Sequence, residues 1–241
     1  MWYNYVIEGV IMFLKLYEEY DKYCYQYNSA IFRLLDKNPY VSNMIYPLAN
    51  LIHQRIENEL KIFIVEPHVN GNTYKSCKVE RTHNLDFLLA HENLKKFYDG
   101  IEICEKCFEE YKKSILYFYK ILGENTFEKS RYPIEKERAE ITNKKNVDID
   151  ELYDNWTKFS ISSSKMLIIY MSYCSSNTVL KLKMENKIIN EIQENKIIDE
   201  IVNGAFKDID EKILDNEKEE LYYFIKLFVK RNKYYDEKYV R

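Results

Sequence analysis

The apolar positions of this chain recur at steps of three and four, the period of an amphipathic helix. Over residues 3–36 they are Val6, Val10, Phe13, Leu14, Leu16, Tyr17 and Tyr20, then Ile31, Phe32, Leu34 and Leu35. This predicts one long helix or two short ones, ending near Asn38-Pro39, because a proline disfavours helix at the residue before it. Pro47, at a plausible first helical position, opens a second helix at roughly 45–65. Its apolar stripe is Leu48, Leu51, Ile52, Ile56, Leu60 and Ile64, and Pro67 closes it. Residues 67–80 form a polar loop with a turn signal at Asn70-Gly71-Asn72.

Thr82-His83-Asn84 begins a helix with Leu85, Leu88 and Leu89 inward, and a longer helix spans 93–122, stopped by Gly123. Residues 123–130 are a short loop, and Arg131-Tyr132-Pro133 begins an extended segment. Thr142–Asp150 is charged and aperiodic. A helix at about 150–174 follows, and then 177–241 repeats apolar residues through Leu180, Ile188, Ile192, Ile198 and Val202 until Gly204 breaks the run. A final helix, 209–231, carries Ile213, Leu214, Leu221, Phe224, Ile225 and Phe228. The pattern predicts an all-α, up-and-down helical bundle with a C-terminal helical extension. Residues 1–141 form the bundle and 142–150 a linker or exposed loop. Residues 151–241 are helices that pack on the bundle or mediate dimerisation.

Composition narrows the classes without naming a function. With 241 residues, 46% of them hydrophobic, and only 5 Gly and 4 Pro, the chain is neither collagen-like nor disordered, nor a turn-rich β-sandwich. The 23 tyrosines accompany many Lys, Asn and Ile, the residues of AT-rich codons, and so carry little functional signal. A net charge of -3 supplies no whole-chain drive toward nucleic acid or anionic membranes, although a local basic groove is compatible with it. Val6–Leu16 contains Glu8 and Lys15, and Met166–Cys174 is far shorter than the ~20 residues of a spanning helix. No membrane span is expected. The N-terminal Met-Trp-Tyr-Asn-Tyr lacks the marks of a signal peptide. The five scattered cysteines then read as reduced thiols of a cytoplasmic protein.

Most of the familiar chemical motifs are missing. Cys104 and Cys107 make a C-x-x-C, but no second pair completes a zinc site and no βαβ pattern surrounds it, so they read as ordinary helix cysteines. There is no Gly-rich phosphate loop, no G-x-S-x-G and no H-E-x-x-H. Ser160–Ser164 reads as a packed helix edge, and His68 and His91 as loop and surface residues. No metal and no cofactor is expected.

One constellation stands apart. His53, Glu57 and Lys61 fall at i, i+4 and i+8 and so share one face of the second helix. His83, with Leu85 and Leu88, opens the next, and Arg131-Tyr132-Pro133 with Glu135 comes later. These three pieces, over about residues 40–140, resemble the HEPN superfamily, whose small helical members show H/Q-x-x-x-E-x-x-x-K, H-x-L-x-x-L and R-Y-P in this order. The resemblance implies a four- or five-helix bundle, often a homodimer, with a polar groove between paired helices. It also implies RNA binding or metal-independent RNA cleavage in toxin–antitoxin, abortive-infection or CRISPR systems. The chain departs from the catalytic members, which carry R-x(4–6)-H. No histidine follows Arg131, Arg81 precedes His91 by ten positions, and Arg55 has only His68 downstream, across Pro67.

A physical case for a site does not need that motif. If the second helix and the turns at His83 and Arg131 converge, two imidazoles, a guanidinium and a carboxylate share one place. His53 and His83 could then move protons while Arg131 holds a phosphate. Glu57, Lys61, Tyr132 and Arg81 would support the site or the RNA. In the alternative, Arg131 pairs with Glu57 or Glu59, His83 caps its own helix, and the cluster is structural. Two functions follow. One is a HEPN-like protein of prokaryotic or mobile-element conflict and stress systems that binds or cleaves RNA. The other is a non-catalytic interaction module, such as an inhibitor, an antitoxin or a dimeric scaffold. The first needs Lys61, Lys75, Lys78, Arg81, Lys129, Arg131 and Lys136 on one side. The second needs an exposed apolar patch on the C-terminal helices.

Overall fold

The computed structural model describes residues 24–36, 45–64, 82–122, 148–185, 188, 190–205 and 215–239. Among these it is all-helical: eight helices and no strand. They are α1 (24–35), α2 (Ile45–Ile64), α3 (Leu85–Leu89), α4 (Glu92–Tyr98), α5 (Glu102–Leu122), α6 (Ile149–Met184), α7 (Glu191–Ala205) and α8 (Asp215–Tyr239). The expected second helix is thus present, with Pro47 in its first turn, where a missing N–H leaves no helical bond unmade. Among the described residues no helix is long and apolar enough to cross a membrane.

The longest element organises the rest. α6 has 36 residues, about 54 Å at the helical rise. Its first half packs on α5, its second half on α8, and α7 closes the far end. Two buried clusters lie along it. The larger is aromatic: Trp156 stacks on Phe159 at 4.9 Å between ring centres and meets Phe118 edge-on at 5.7 Å, while Phe63 of α2 reaches Tyr170 at 5.3 Å. The smaller is aliphatic, with Val179 and Leu182 of α6, Ile197, Ile198 and Ile201 of α7, and Leu221 and Ile225 of α8. Ile168 and Met171 pack against both, so α6 belongs to each core.

The sequence pattern predicts a helix that ends at about residue 174, but α6 runs on through Ser175, Ser176 and Asn177 to Met184. The serines explain it. Ser172 donates to the Ile168 carbonyl at 2.7 Å and Ser176 to that of Tyr173 at 2.8 Å, so these hydroxyls are satisfied inside their own helix. Ser172, Ser175 and Ser176 are buried, and their small side chains let α8 approach, with Ser172 Oγ 3.4 Å from the Leu221 carbonyl oxygen. A polar run that reads as a break is a seam.

The continuous helix expected at 93–122 is broken instead. After α4 the chain passes through extended Asp99 and then Gly100 at φ 78°, a conformation that costs any residue with a Cβ. The Gly100 N–H donates to Glu105 Oε1 at 2.8 Å. Arg231 of α8 donates to the carbonyls of Asp99 (2.8 Å) and Lys96 (2.9 Å), closing the open end of α4. The Asp-Gly pair was the overlooked turn signal. Farther along, α7 continues to Ala205, with Gly204 in its last turn, and α8 extends past 231 to Tyr239.

Gly100→Ala should cost about 1–2 kcal/mol in urea unfolding, the penalty of a left-handed conformation for a residue with a Cβ. Exposed Ser164→Ala should stay within about 0.5 kcal/mol of the parent. Equal stability of Gly100→Ala and the parent would mean that the α4–α5 elbow does not need the left-handed turn.

Candidate functional site

α2 is buried along most of its length, polar residues included: His53, Arg55, Glu57 and Glu59 all lie inside. Glu57 and Glu59 are two residues apart and so point about 200° from one another around the helix axis. Each carboxylate finds partners on its own side.

Glu57 is the centre of the first cluster. Lys61, one turn on, donates from Nζ to Oε1 at 2.6 Å. His53, one turn back, sets Nε2 3.2 Å from Oε2. The third partner arrives from the turn before α3, where His83 Nδ1 lies 2.9 Å from Oε1 and 3.0 Å from Oε2. Burial pushes the Glu57 carboxyl up, but the hydrogen bonds from His53, Lys61 and His83 outweigh it and hold the pKa down at about 2. An ionised carboxylate only accepts, so the hydrogen atoms in these bonds sit on His53 Nε2 and His83 Nδ1. His53 and Glu57 are buried, whereas the His83 side chain is 57% exposed. The cluster therefore has a closed floor and one open corner.

The turn that carries His83 is built locally. The Asn84 N–H donates to Thr82 Oγ1 at 3.1 Å, and Asn84 Oδ1 accepts from the Phe87 N–H at 3.0 Å, capping α3. His83 thus does not cap its own helix; the neighbouring asparagine does, which leaves the imidazole for Glu57. His91 is a half-buried cap: its Nδ1 accepts from the Asn93 N–H at 3.2 Å. Asn93 in turn donates Nδ2 to the Ile64 carbonyl at 3.0 Å, tying α4 to the end of α2.

Glu59 lies in the second cluster, which the sequence pattern did not single out. It forms an ion pair with Arg55, whose Nη2 also donates to Ser163 Oγ of α6 at 3.0 Å. Ser163 donates to the other Glu59 oxygen at 2.6 Å, closing a ring of three side chains. The guanidinium lies over the Phe159 ring at 5.8 Å. Burial, and then the nearby Glu59 carboxylate, push the Tyr111 phenol well above its ordinary pKa. The sequence does hold a signal for this pair: Arg55 and Glu59 stand at i, i+4 on the side of α2 away from Glu57. Two charged stripes on opposed faces mean a helix with no single solvent side.

Of the residues selected from sequence, the fold brings together His53, Glu57, Lys61 and His83. Arg131, Tyr132 and Arg81 lie outside the described residues, as do His68, Lys75, Lys78, Lys129, Glu135 and Lys136. Glu59 pairs with Arg55; the alternative pairing of Arg131 with Glu57 or Glu59 falls on a residue outside the described ones. Ser162 and Ser163 are buried, in line with a packed helix edge. Cys104 is buried in α5, and burial first, then Cys107, push its thiol up to about 12; burial likewise raises Cys107. Neither is a ready thiolate. Among the described residues no group of three or more His, Cys, Asp or Glu side chains is placed to hold a metal ion.

Compared with known proteins, the chain matches no family model, no curated protein and no solved structure.

Two predictions separate the two clusters. A carboxyl depressed from 4.5 to about 2 contributes stability that is complete above 4.5 and disappears as pH falls toward 2. Glu57→Gln should therefore be less stable than the parent at neutral pH, and the gap should shrink as thermal melts are taken from pH 4.5 down to 2. A gap independent of pH would show that ionisation of Glu57 is not what stabilises the fold. Glu59→Gln removes one side of a buried ion pair and should cost about 3–5 kcal/mol in denaturant unfolding. A loss under about 1 kcal/mol would place that pair in a wetter setting than its burial indicates.

Proposed function

We propose that this chain is a HEPN-like, RNA-binding helical protein of a prokaryotic or mobile-element conflict or stress system. RNA would meet the cluster around Glu57, and the chain would act as a homodimer. The observation that carries this reading is the meeting of two of the three motif pieces at one carboxylate. His53, Glu57 and Lys61 come from α2, and His83 comes from a turn 26 positions along the chain.

The chemistry supports binding in particular. Three groups on one buried carboxylate fix their geometry before any ligand arrives, which lowers the ordering cost of association. The one exposed member, His83, offers a ring edge suited to hydroxyl, phosphate or base contacts. An Arg131 guanidinium brought alongside would add a bidentate phosphate contact. His83, with a carboxylate behind it, is also the residue to test for proton transfer if RNA is cut.

The partner-protein reading has its own support. Met184 at the end of α6 and Ile192 at the start of α7 are each 81% exposed, and Tyr223 on α8 is also exposed. They lie on the C-terminal helices, the surface through which this chain, as an inhibitor, an antitoxin or a dimeric scaffold, would bind its partner.

Labelled tRNA and total RNA should bind the purified chain, with affinity falling steeply as salt is raised. His83→Ala and Arg131→Ala should each weaken binding about tenfold; His83→Ala also removes a partner of the buried Glu57 and so lowers the melting temperature, and circular dichroism at the assay temperature checks that each variant is folded. Cleavage in EDTA that both substitutions abolish would extend the reading to a metal-independent ribonuclease. A folded protein that binds no RNA would overturn it in favour of the partner-protein role.

A further inference from the structure

We propose that the outer face of α7 is where two copies of this chain meet, packed antiparallel so that Ile192 of each enters a hollow between α7 and α8 of the other. This rests on the homodimer reading above and goes beyond it by naming the surface.

α7 has two unlike faces. Glu194, Ile197, Ile198, Ile201 and Val202 are buried, the four apolar ones in the cluster shared with α6 and α8. Opposite them stand Ile192, Lys196, Asp199 and Asn203, all exposed. Steps of four, three and four keep these on one stripe, about 16 Å long at the helical rise.

That stripe is complementary to itself. Laid antiparallel on a second copy, with the two-fold axis midway between Lys196 and Asp199, it sets Lys196 opposite the partner's Asp199. The same axis sets Asp199 opposite the partner's Lys196. In a parallel pairing each would meet its own kind, lysine on lysine and aspartate on aspartate, which is unfavourable at both positions. Charge thus selects the antiparallel register. Exposed ion pairs add little affinity of their own, so what they fix is orientation.

The apolar contact lies at the two ends of the stripe. In this register Ile192 stands opposite the partner's Asn203. A side chain at such a seam packs into a hole between residues i, i+3, i+4 and i+7 of the facing helix, and for Ile192 the first three are Asp199, Val202 and Asn203. These same three line an open hollow of about 430 Å³, completed by Lys218, Glu219 and Tyr222 of α8. Val202 is buried and Tyr222 half-buried, both packed in the aliphatic cluster, so the hollow has an apolar base beneath a charged rim. Ile192 is 81% exposed. One exposed isoleucine is ordinary on a protein surface. An isoleucine that a two-fold axis brings to an apolar hollow, with two ion pairs between the two such contacts, makes a self-complementary patch.

A contact confined to one helix stripe and the edge of a second is at the small end of protein interfaces, so the dimer should dissociate on dilution. Sedimentation equilibrium of the full chain over a dilution series reads its Kd. Lys196→Glu and Asp199→Lys each place two like-charge pairs at the seam and should weaken dimerisation at least about tenfold. The double variant restores opposite charges in reversed order and should return Kd to within about threefold of the parent. Ile192→Ala removes the aliphatic contact from both hollows and should weaken the dimer about tenfold. These side chains are exposed, so each variant should keep its fold, which circular dichroism checks. A dimer whose Kd the single variants leave unchanged, or that the double variant fails to restore, would overturn this interface while leaving a homodimer formed elsewhere. A chain that stays monomeric at every concentration would overturn the homodimer reading and this interface with it.

Discussion

A helix buried on most of its sides cannot send its charges to water, and α2 is such a helix. It carries Arg55, Glu57 and Glu59 into the interior, where an ionised group without partners costs several kcal/mol. Every element that touches α2 therefore brings something polar to it. α6 brings Ser163, the turn before α3 brings His83, and α4 brings Asn93 to the last carbonyls. The placement of these elements follows the charges as much as the apolar stripe. Apolar contact alone would tolerate a sliding helix, whereas three directional clusters on one helix define a single register.

The same logic runs through the C-terminal half in another form. Glu194 of α7 is buried between Lys183 of α6 and Lys226 of α8, with Lys226 Nζ 3.4 Å from its Oε1 and 2.6 Å from Asn195 Oδ1. Here one carboxylate joins three helices. Between the two halves α6 is continuous: Ser172 and Ser176 bond their own backbone, and Ser172, Ser175 and Ser176 bury without a bulky side chain. A Leu-rich helix at those positions would hold α8 farther away and leave Arg231 short of the α4 carbonyls.

How far the sequence reveals this depends on whether a feature is local. The helical class, the span of α2 and the meeting of His53, Glu57 and Lys61 all follow from periodicity, which is a property of neighbours. The arrival of His83 at Glu57 was expected only as a conditional, because it needs a contact across 26 residues. Element boundaries differ from the pattern where tertiary structure outweighs it. The pattern predicts one helix over 93–122, yet Gly100 turns the chain, and Arg231 reaches Asp99 from 132 positions away. The pattern ends a helix at about 174, yet α6 carries the buried Ser175 and Ser176 on to Met184. The ring of Arg55, Glu59 and Ser163 was hidden for the same reason, since its third member lies 108 positions from the first.

The two carboxylates of α2 share a helix and a degree of burial but differ in what closes over them. Around Glu59 the ring is complete: guanidinium, hydroxyl and carboxylate answer one another, and Phe159 lies across the guanidinium. A ligand that competed for any of those bonds would have to open the core. Around Glu57 the last partner is an imidazole that the fold leaves more than half in solvent. It can exchange what lies on its outer edge without disturbing what lies beneath. Buried charge in a bundle is common, and by itself says little about function. A buried charge that orients an exposed, ionisable ring is a narrower arrangement, and it makes Glu57, rather than the more deeply sealed Glu59, the centre on which a ligand would register.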